Sequence, residues 1–368
     1  MYIYENPEWP DFTWDSNKLL SLLPAVRNLQ GRVVGKMEAA GFELKDQANL
    51  EIRTLDILKS TEIEGEVLNA DQVRSSIARR LGLDISGMIH SDRNVDGVVD
   101  MMLDATSNYD KALDMHRLFS WHNALFPAGF SGMYKVSTGK WRDDAKGPMQ
   151  VVSGPIGKEL VHYQAPKASD IEKEMIIFLE WINNKQAVDL VLKAGIAHLW
   201  FVTIHPFEDG NGRIARAITD MILAQSDEQS RRFYSMSTQL RKERNEYYEI
   251  LEKTQKGSLD ITHWLEWFLN CLLNALQASE AQLSSVCFKY NFWNNNCTKI
   301  ENDRQRKMVN MLIDGFDGKL NTSKWAKLCK CSQDTALRDI QELIDKHILY
   351  KLPGSGRSTS YDLIRNSN

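Results

Sequence analysis

Eleven consecutive residues, Ala194-Gly-Ile-Ala-His-Leu-Trp-Phe-Val-Thr-Ile204, are apolar on nearly every side and run straight into His205-Pro206. A helix that is apolar all round has to be buried, so the remainder of its domain must be wrapped around it. Pro206 biases His205 out of helical geometry. The imidazole is therefore the first group of a loop, carried on a rigid core element. A free histidine, with a pKa of about 6.5, is roughly three quarters neutral at pH 7 and can take a proton from a hydroxyl.

The loop continues Phe207-Glu208-Asp209-Gly210-Asn211-Gly212-Arg213-Ile214-Ala215-Arg216. Gly210 and Gly212 lack a Cβ, so consecutive N–H groups can turn into one concavity at the start of the next helix, which suits phosphate oxygens. That helix has its apolar face at Ile214, Ala217, Ile218, Met221 and Ile222. Arg213 and Arg216, three apart, share its first turns and oppose the macrodipole, a conflict that an anionic ligand resolves. Pairing of Arg216 with Asp220 at i+4 is the structural alternative. Asp209 offers a hard oxygen for a Mg²⁺ shared with nucleotide phosphates, and capping of the helix is a compatible second role. Phe207 reads as a core plug that fixes the loop.

Elsewhere the pattern is mostly helical. Apolar residues recur at three and four from Asn17 to Gly41, and a second helix runs from Lys45 to about Glu64. Further helices are expected at about 69–82, 92–107, 110–125, 169–185, 187–204, 212–225, 242–255 and 260–288. Gly139 to Pro166 breaks the rhythm with Gly-Pro pairs and two extended runs, Met149 to Ser153 and Leu160 to Gln164, which read as a β-hairpin flap. From Asp303 to Arg365 twelve Lys or Arg stand against eight Asp or Glu, in a chain of net charge −4. There a helix, a turn, a second helix over Ser332 to His347 and a two-stranded hairpin around Pro353 to Arg357 have the layout of a winged helix. The expected fold class is mainly α, a helical bundle with a β-hairpin flap and a C-terminal winged helix-turn-helix. Its divisions are expected at 1–90, 91–290 and 303–368.

The net charge argues against a chain that coats nucleic acid along its whole surface. Acids and prolines fill the first ten residues, where a signal peptide would carry a basic end and an apolar run. The longest span without a charged residue, Leu118 to Tyr134, is interrupted by Pro127, Gly129 and Gly132 and falls short of a membrane helix. A cytoplasmic protein with no membrane partner is expected. Five cysteines at irregular spacing read as reduced thiols, Cys329 and Cys331 as helix packing.

The stretch His205 to Arg216 resembles the complete signature of the Fic family, with no departure at a defining position. That resemblance implies transfer of AMP from ATP to a hydroxyl side chain of a target protein, with release of pyrophosphate. It makes His205 the base, Asp209 the Mg²⁺ ligand, and Gly210, Asn211 and Gly212 the phosphate nest. Arg213 and Arg216 would hold nucleotide phosphates, with Ile214 and Ala215 inside the same nucleotide-binding stretch. Asn245 to Leu251 resembles the helix that walls the nucleobase pocket, Tyr248 being either the adenine contact or a core tyrosine. The flap resembles the family's hairpin, which holds a target segment by strand addition, and the aromatic-rich residues 2–14 resemble an N-terminal segment found with one class of the family.

The helix before Gly65 ends Ser60-Thr-Glu-Ile-Glu64-Gly-Glu66, with acids where the dipole favours cations. Those acids ask for a positive partner elsewhere in the fold, and Ser60 and Glu64, four apart, share a face. The segment resembles the inhibitory Ser/Thr-x-x-x-Glu-Gly pattern of Fic proteins, placed as in the class with an N-terminal inhibitory helix. The resemblance implies that Glu64 pairs with Arg216 and occupies the guanidinium meant for the γ-phosphate. It leaves open removal of AMP by the same glutamate, self-modification and a homodimer. Two other readings stand beside it: transfer of another nucleotide, and a DNA-binding regulator whose Fic-like domain senses nucleotide. In the latter, Ser332 to Lys346 would be the recognition helix and Arg357 a wing contact. Arg338 set against Asp334, Asp339, Glu342 and Asp345 makes a poor phosphate face, which turns the module towards protein contact.

Overall fold

The computed structural model describes residues 1–365 other than 40, 86, 146, 155–156, 185–187, 317 and 354–358. The wing residue Arg357 and the expected helix limits at 185 and 187 lie outside the described residues. The chain divides into two compact units, Met1–Glu280 and Ala281–Asn368. Residues 1–90 lie in the same unit as the central motif.

The first unit starts with α1 (Ser16–Leu19), α2 (Leu22–Glu38), α3 (Phe42–Ile63), α4 (Ala70–Leu81), α5 (Arg93–Ser107) and α6 (Met115–Leu125). Short pairs of strands follow, β1 (Phe130–Ser131) with β2 (Tyr134–Lys135), and β3 (Gln150–Ser153) with β4 (Leu160–Gln164), all antiparallel. Then come α7 (Ile171–Asn183), α8 (Leu190–Ile204), α9 (Asn211–Asp227), α10 (Met236–Lys242), α11 (Arg244–Gln255) and α12 (Thr262–Asn296), whose residues from 281 on belong to the second unit.

Helix α8 is the axis: every residue from Val191 to Ile204 is buried. It packs along α9, which in turn meets α2, α3, α5 and α6. Side-chain caps start α5, α6 and α8 itself, with Asp92, Asp114 and Asp189 each accepting from a first-turn N–H. The Asp114 cap sets the beginning of α6 five residues later than the expected 110. The expected single helix over 17–41 is broken at Leu20-Ser21. Pro24 explains the break, because it has no N–H for the Leu20 carbonyl and is tolerated only in a first turn. Sequence periodicity predicts neither helix α10 nor the β1–β2 pair. They are too short for a periodic signal.

The second unit continues with α13 (Asp303–Ile313), α14 (Thr322–Cys329), α15 (Gln333–Asp345) and the antiparallel pair β5 (Leu349–Lys351) and β6 (Tyr361–Leu363). Its core gathers Met308, Leu312, Trp325, Ile340, Leu343 and Leu363. Asp339, counted above on the outward face of α15, instead points inward, where both its oxygens bind Arg304 at 2.7 and 3.0 Å.

Candidate active site

Helix α8 ends at His205, which caps it with a left-handed backbone, φ 53°. Left-handed rather than extended geometry is the local price of turning the imidazole out of the core, of order 1 kcal/mol for a non-glycine residue. Neighbouring groups hold the turn. Arg142 donates from Nε to the His205 carbonyl at 2.8 Å and from Nη2 to the Pro166 carbonyl at 2.5 Å, while its backbone N–H donates to Pro206 O at 2.9 Å. Tyr163 of β4 donates its hydroxyl to Thr203 O at 2.6 Å. Inside the loop, Phe207 is fully buried and stacks on His122, with ring centroids 4.1 Å apart.

The His205 ring faces Val202 O through Nδ1 at 3.2 Å. A carbonyl only accepts, so Nδ1 carries the proton and Nε2 is left as the acceptor. Burial pushes the imidazole pKa down to about 4, with the Arg142 charge adding to the shift and Val202 O, Asp209 and Glu64 opposing it. The ring is therefore neutral at pH 7.

Helix α9 begins at Asn211 after Gly210, whose φ is 81°, and no side chain caps it. The first N–H groups thus remain unsatisfied and point outward as a nest. Asn211 itself braces the loop: its side chain bonds both the N–H and the carbonyl of Phe207, at 3.0 and 2.8 Å. Asp209 does not cap α9; its Oδ1 accepts from the adjacent Gly210 N–H at 2.5 Å. Among the described residues no three His, Cys, Asp or Glu side chains gather as a metal cage. One carboxylate beside a phosphate nest is nonetheless the protein share that a Mg²⁺ needs when phosphates and water complete its octahedron.

Arg213 and Arg216 are 3 % and 2 % exposed. Arg216 donates to Ser60 Oγ at 2.9 Å, to Ser60 O at 2.9 Å and to Glu64 Oε1 at 2.7 Å. The i+4 residue Asp220 pairs instead with Arg232 at 2.9 Å. Arg213 lies over Phe126 and donates to Glu66 Oε2 at 2.9 Å. Both carboxylates come from one turn, which Gly65 makes with φ 87° at the end of α3. The cation missing from that helix end is supplied by α11, where Arg244 Nε donates to Ile63 O at 2.8 Å. Two buried guanidinium nitrogens, Arg213 Nε and Arg216 Nη1, have no hydrogen-bond partner among the described residues.

A cleft of about 480 Å³ opens beside these groups; Glu64 lines it, and Arg213 and Arg216 lie behind its lining. Its floor holds His205 and Glu208 to Gly212, its roof Val151 to Ser153 and His162, and its far side Tyr247, Tyr248, Leu251 and Glu252. Glu64 forms the wall in front of Arg216. A Cβ on Gly212 would come within 2.2 Å of Glu64 Oε1, so the carboxylate lies directly against the nest. Tyr248 is 37 % exposed and Tyr247 is core, its hydroxyl on His198 Nε2 at 2.8 Å. Ile214 and Ala215 are wholly buried, so their side chains pack the core and do not meet the cleft.

Sequence reasoning missed Arg142, Tyr163 and His122, whose partners in this network lie 24 to 87 residues away. Replacing Arg142 by Ala would leave the His205 and Pro166 carbonyls without donors. At about 1–3 kcal/mol for each buried unsatisfied group, a loss of about 2–6 kcal/mol is expected in urea unfolding. A loss under about 0.5 kcal/mol would contradict the bracing role.

The bundle, the uncapped helix and the loop before it define a class. A family model described as Fic/DOC family matches residues 110–223, and the chain therefore carries a Fic/DOC domain. A second model, a domain of unknown function (DUF4172), matches residues 2–83. Among individual proteins, the chain is similar to a protein adenylyltransferase Fic of Nematostella vectensis, 31 % identical over 31 % of this chain and 25 % of that protein. To the protein adenylyltransferase Fic of Drosophila yakuba it is 25 % identical, over 58 % of this chain and 39 % of that protein. The chain thus spans less than half the length of these relatives. A solved Fic family protein from Desulfovibrio desulfuricans G20 shares the mainly helical fold over 98 % of this chain and 99 % of its own, with TM-score 0.56 and 20 % identity.

Proposed function

We propose that this chain is an autoinhibited protein adenylyltransferase that moves AMP from ATP to a Ser, Thr or Tyr hydroxyl of a protein. The observation that carries the reading is the opposition, across one cleft, of a neutral imidazole with a free Nε2 and an uncapped helix N-terminus backed by two under-bonded guanidinium groups. The nest and the arginines bind triphosphate; Tyr248 borders the base; Asp209 would hold a Mg²⁺, which would neutralise phosphate charge. His205 Nε2 takes the proton of the target hydroxyl as its oxygen bonds to the α-phosphorus. The bond to the β-phosphate oxygen breaks and pyrophosphate leaves.

Glu64 is the brake. It holds Arg216 through a charge-assisted bond where a γ-phosphate oxygen would otherwise sit, and Glu66 holds Arg213 in the same way from the same turn. Both links break together if the α3 end withdraws. The test is transfer from labelled ATP by the Glu64→Gly protein: label at the α-phosphate should become covalently attached to protein, and label at the γ-phosphate should not. Attached γ-label would replace nucleotide transfer by phosphate transfer.

The base has a pH signature. Its pKa is lowered, so the competent neutral form is complete near pH 7 and is lost only as pH falls through about 4. The acid limb of kcat/KM should therefore lie well below pH 6.5, and a limb centred at 6.5 would contradict the burial of the ring.

We read residues 303–365 as a winged helix that meets a protein. The exposed side of α15 carries Asp334, Leu337, Arg338, Gln341 and Asp345, one cation against two acids around an exposed leucine. Such a face suits a protein partner better than phosphates.

A further inference from the structure

The flap carries a hydroxyl–imidazole–carboxylate relay inside the same cleft. Across the β3–β4 pair Val151 faces Tyr163 and Val152 faces Val161, so His162 is the extra, unpaired residue of a β-bulge. Bulges re-aim side chains beside active sites. Here His162 Nδ1 meets Glu252 Oε2 of α11 at 2.7 Å, and Nε2 meets Ser153 Oγ at 2.6 Å. Lys256 Nζ donates to the other Glu252 oxygen at 2.5 Å. That ammonium and the imidazole hold the Glu252 carboxyl below its ordinary range, so it is an acceptor only. Nδ1 must then carry the ring proton. Nε2 is left to accept from the Ser153 hydroxyl, the order of groups that activates a serine.

A tie between flap and α11 needs only His162 and Glu252. Ser153 stands on the same hairpin as His162 and adds nothing to that tie, yet its hydroxyl is exposed and on the cleft wall. Resting on the adenylyl-transfer reading above, we propose that Ser153 is an acceptor within the chain itself, modified by AMP in its own cleft, with His162 as its base and Glu252 as the positioning residue. Ser153 Oγ attacks the α-phosphorus and its proton passes to His162 Nε2. The bond from the α-phosphorus to the bridging oxygen breaks, and pyrophosphate leaves with the electron pair.

The experiment uses the full chain with Glu64→Gly, Mg²⁺ and α-labelled ATP, with and without cell lysate, followed by peptide mass spectrometry. AMP is expected on Ser153. S153A should remove that mark and S153T should restore it, which separates loss of the hydroxyl from loss of fold. H162Q should slow marking of residue 153 about tenfold or more, the lower range of general-base contributions. Lysate proteins marked while Ser153 stays unmarked would overturn this proposal alone. A protein that marks neither itself nor the lysate would overturn the transfer reading and this proposal with it. Unchanged marking in H162Q would remove the relay.

Discussion

Glu64→Gly is expected to raise the rate of AMP transfer by at least tenfold. A hydrogen bond between charged groups contributes about 1.5–3 kcal/mol, which corresponds to roughly tenfold to over a hundredfold in a phosphate's access to Arg216. The substitution does not disturb the turn itself, because Glu64 sits at φ −82° and the left-handed position belongs to Gly65. It does leave Arg216, deep in the core, with the two Ser60 oxygens as its hydrogen-bond acceptors among the described residues. Stability without nucleotide should fall by about 1–3 kcal/mol, less than the roughly 3–5 kcal/mol for breaking a fully buried pair, because the Glu64 side chain is 30 % exposed. ATP should return much of that loss by supplying the missing anion. The assay is label incorporation in lysate at equal protein; an unchanged rate would refute the brake.

His205→Ala in the Glu64→Gly background should cut that rate by roughly 10²–10⁴, the range for a general base. Among the described residues of the cleft floor its imidazole alone offers a free nitrogen acceptor, since the Nδ1 proton is taken up by Val202 O. ATP affinity should change little, because the nest and both arginines come from α9. A loss of binding equal to the loss of rate would make His205 a structural residue of the loop. Residual marking at Ser153 in this variant, with marking of other proteins gone, would separate the His162 relay from the His205 one.

Much of this site can be read from consecutive residues. The all-round apolar run before His205, the two glycines and the two arginines lie within twenty-three positions from Ala194 to Arg216, so spacing alone joins them to one helix, one loop and the next helix. The acids after Ser60 were legible as a demand for positive charge, because they oppose a dipole. What stayed hidden is carried by contacts that no period encodes. Arg142 in a glycine-rich stretch reads like any solvated arginine, yet it fastens three carbonyls around the His205 loop. The role of His162 depends on a one-residue bulge and on Glu252, 90 positions away. Charge alone groups Asp339 with the acids beside Arg338, whereas Arg304 pairs with it where it is buried in the second unit. Local rules place elements and caps; bracing and relays arise where elements meet.

The contest for Arg216 between Glu64 and the γ-phosphate can be measured by calorimetric titration of wild-type and Glu64→Gly protein with ATP and with AMP. AMP has no phosphate to reach that guanidinium. Loss of Glu64 should tighten ATP about tenfold, the lower end of a 1.5–3 kcal/mol charged bond, and leave AMP binding as it was. An equal gain for both nucleotides, or none for either, would contradict a brake that acts through Arg216.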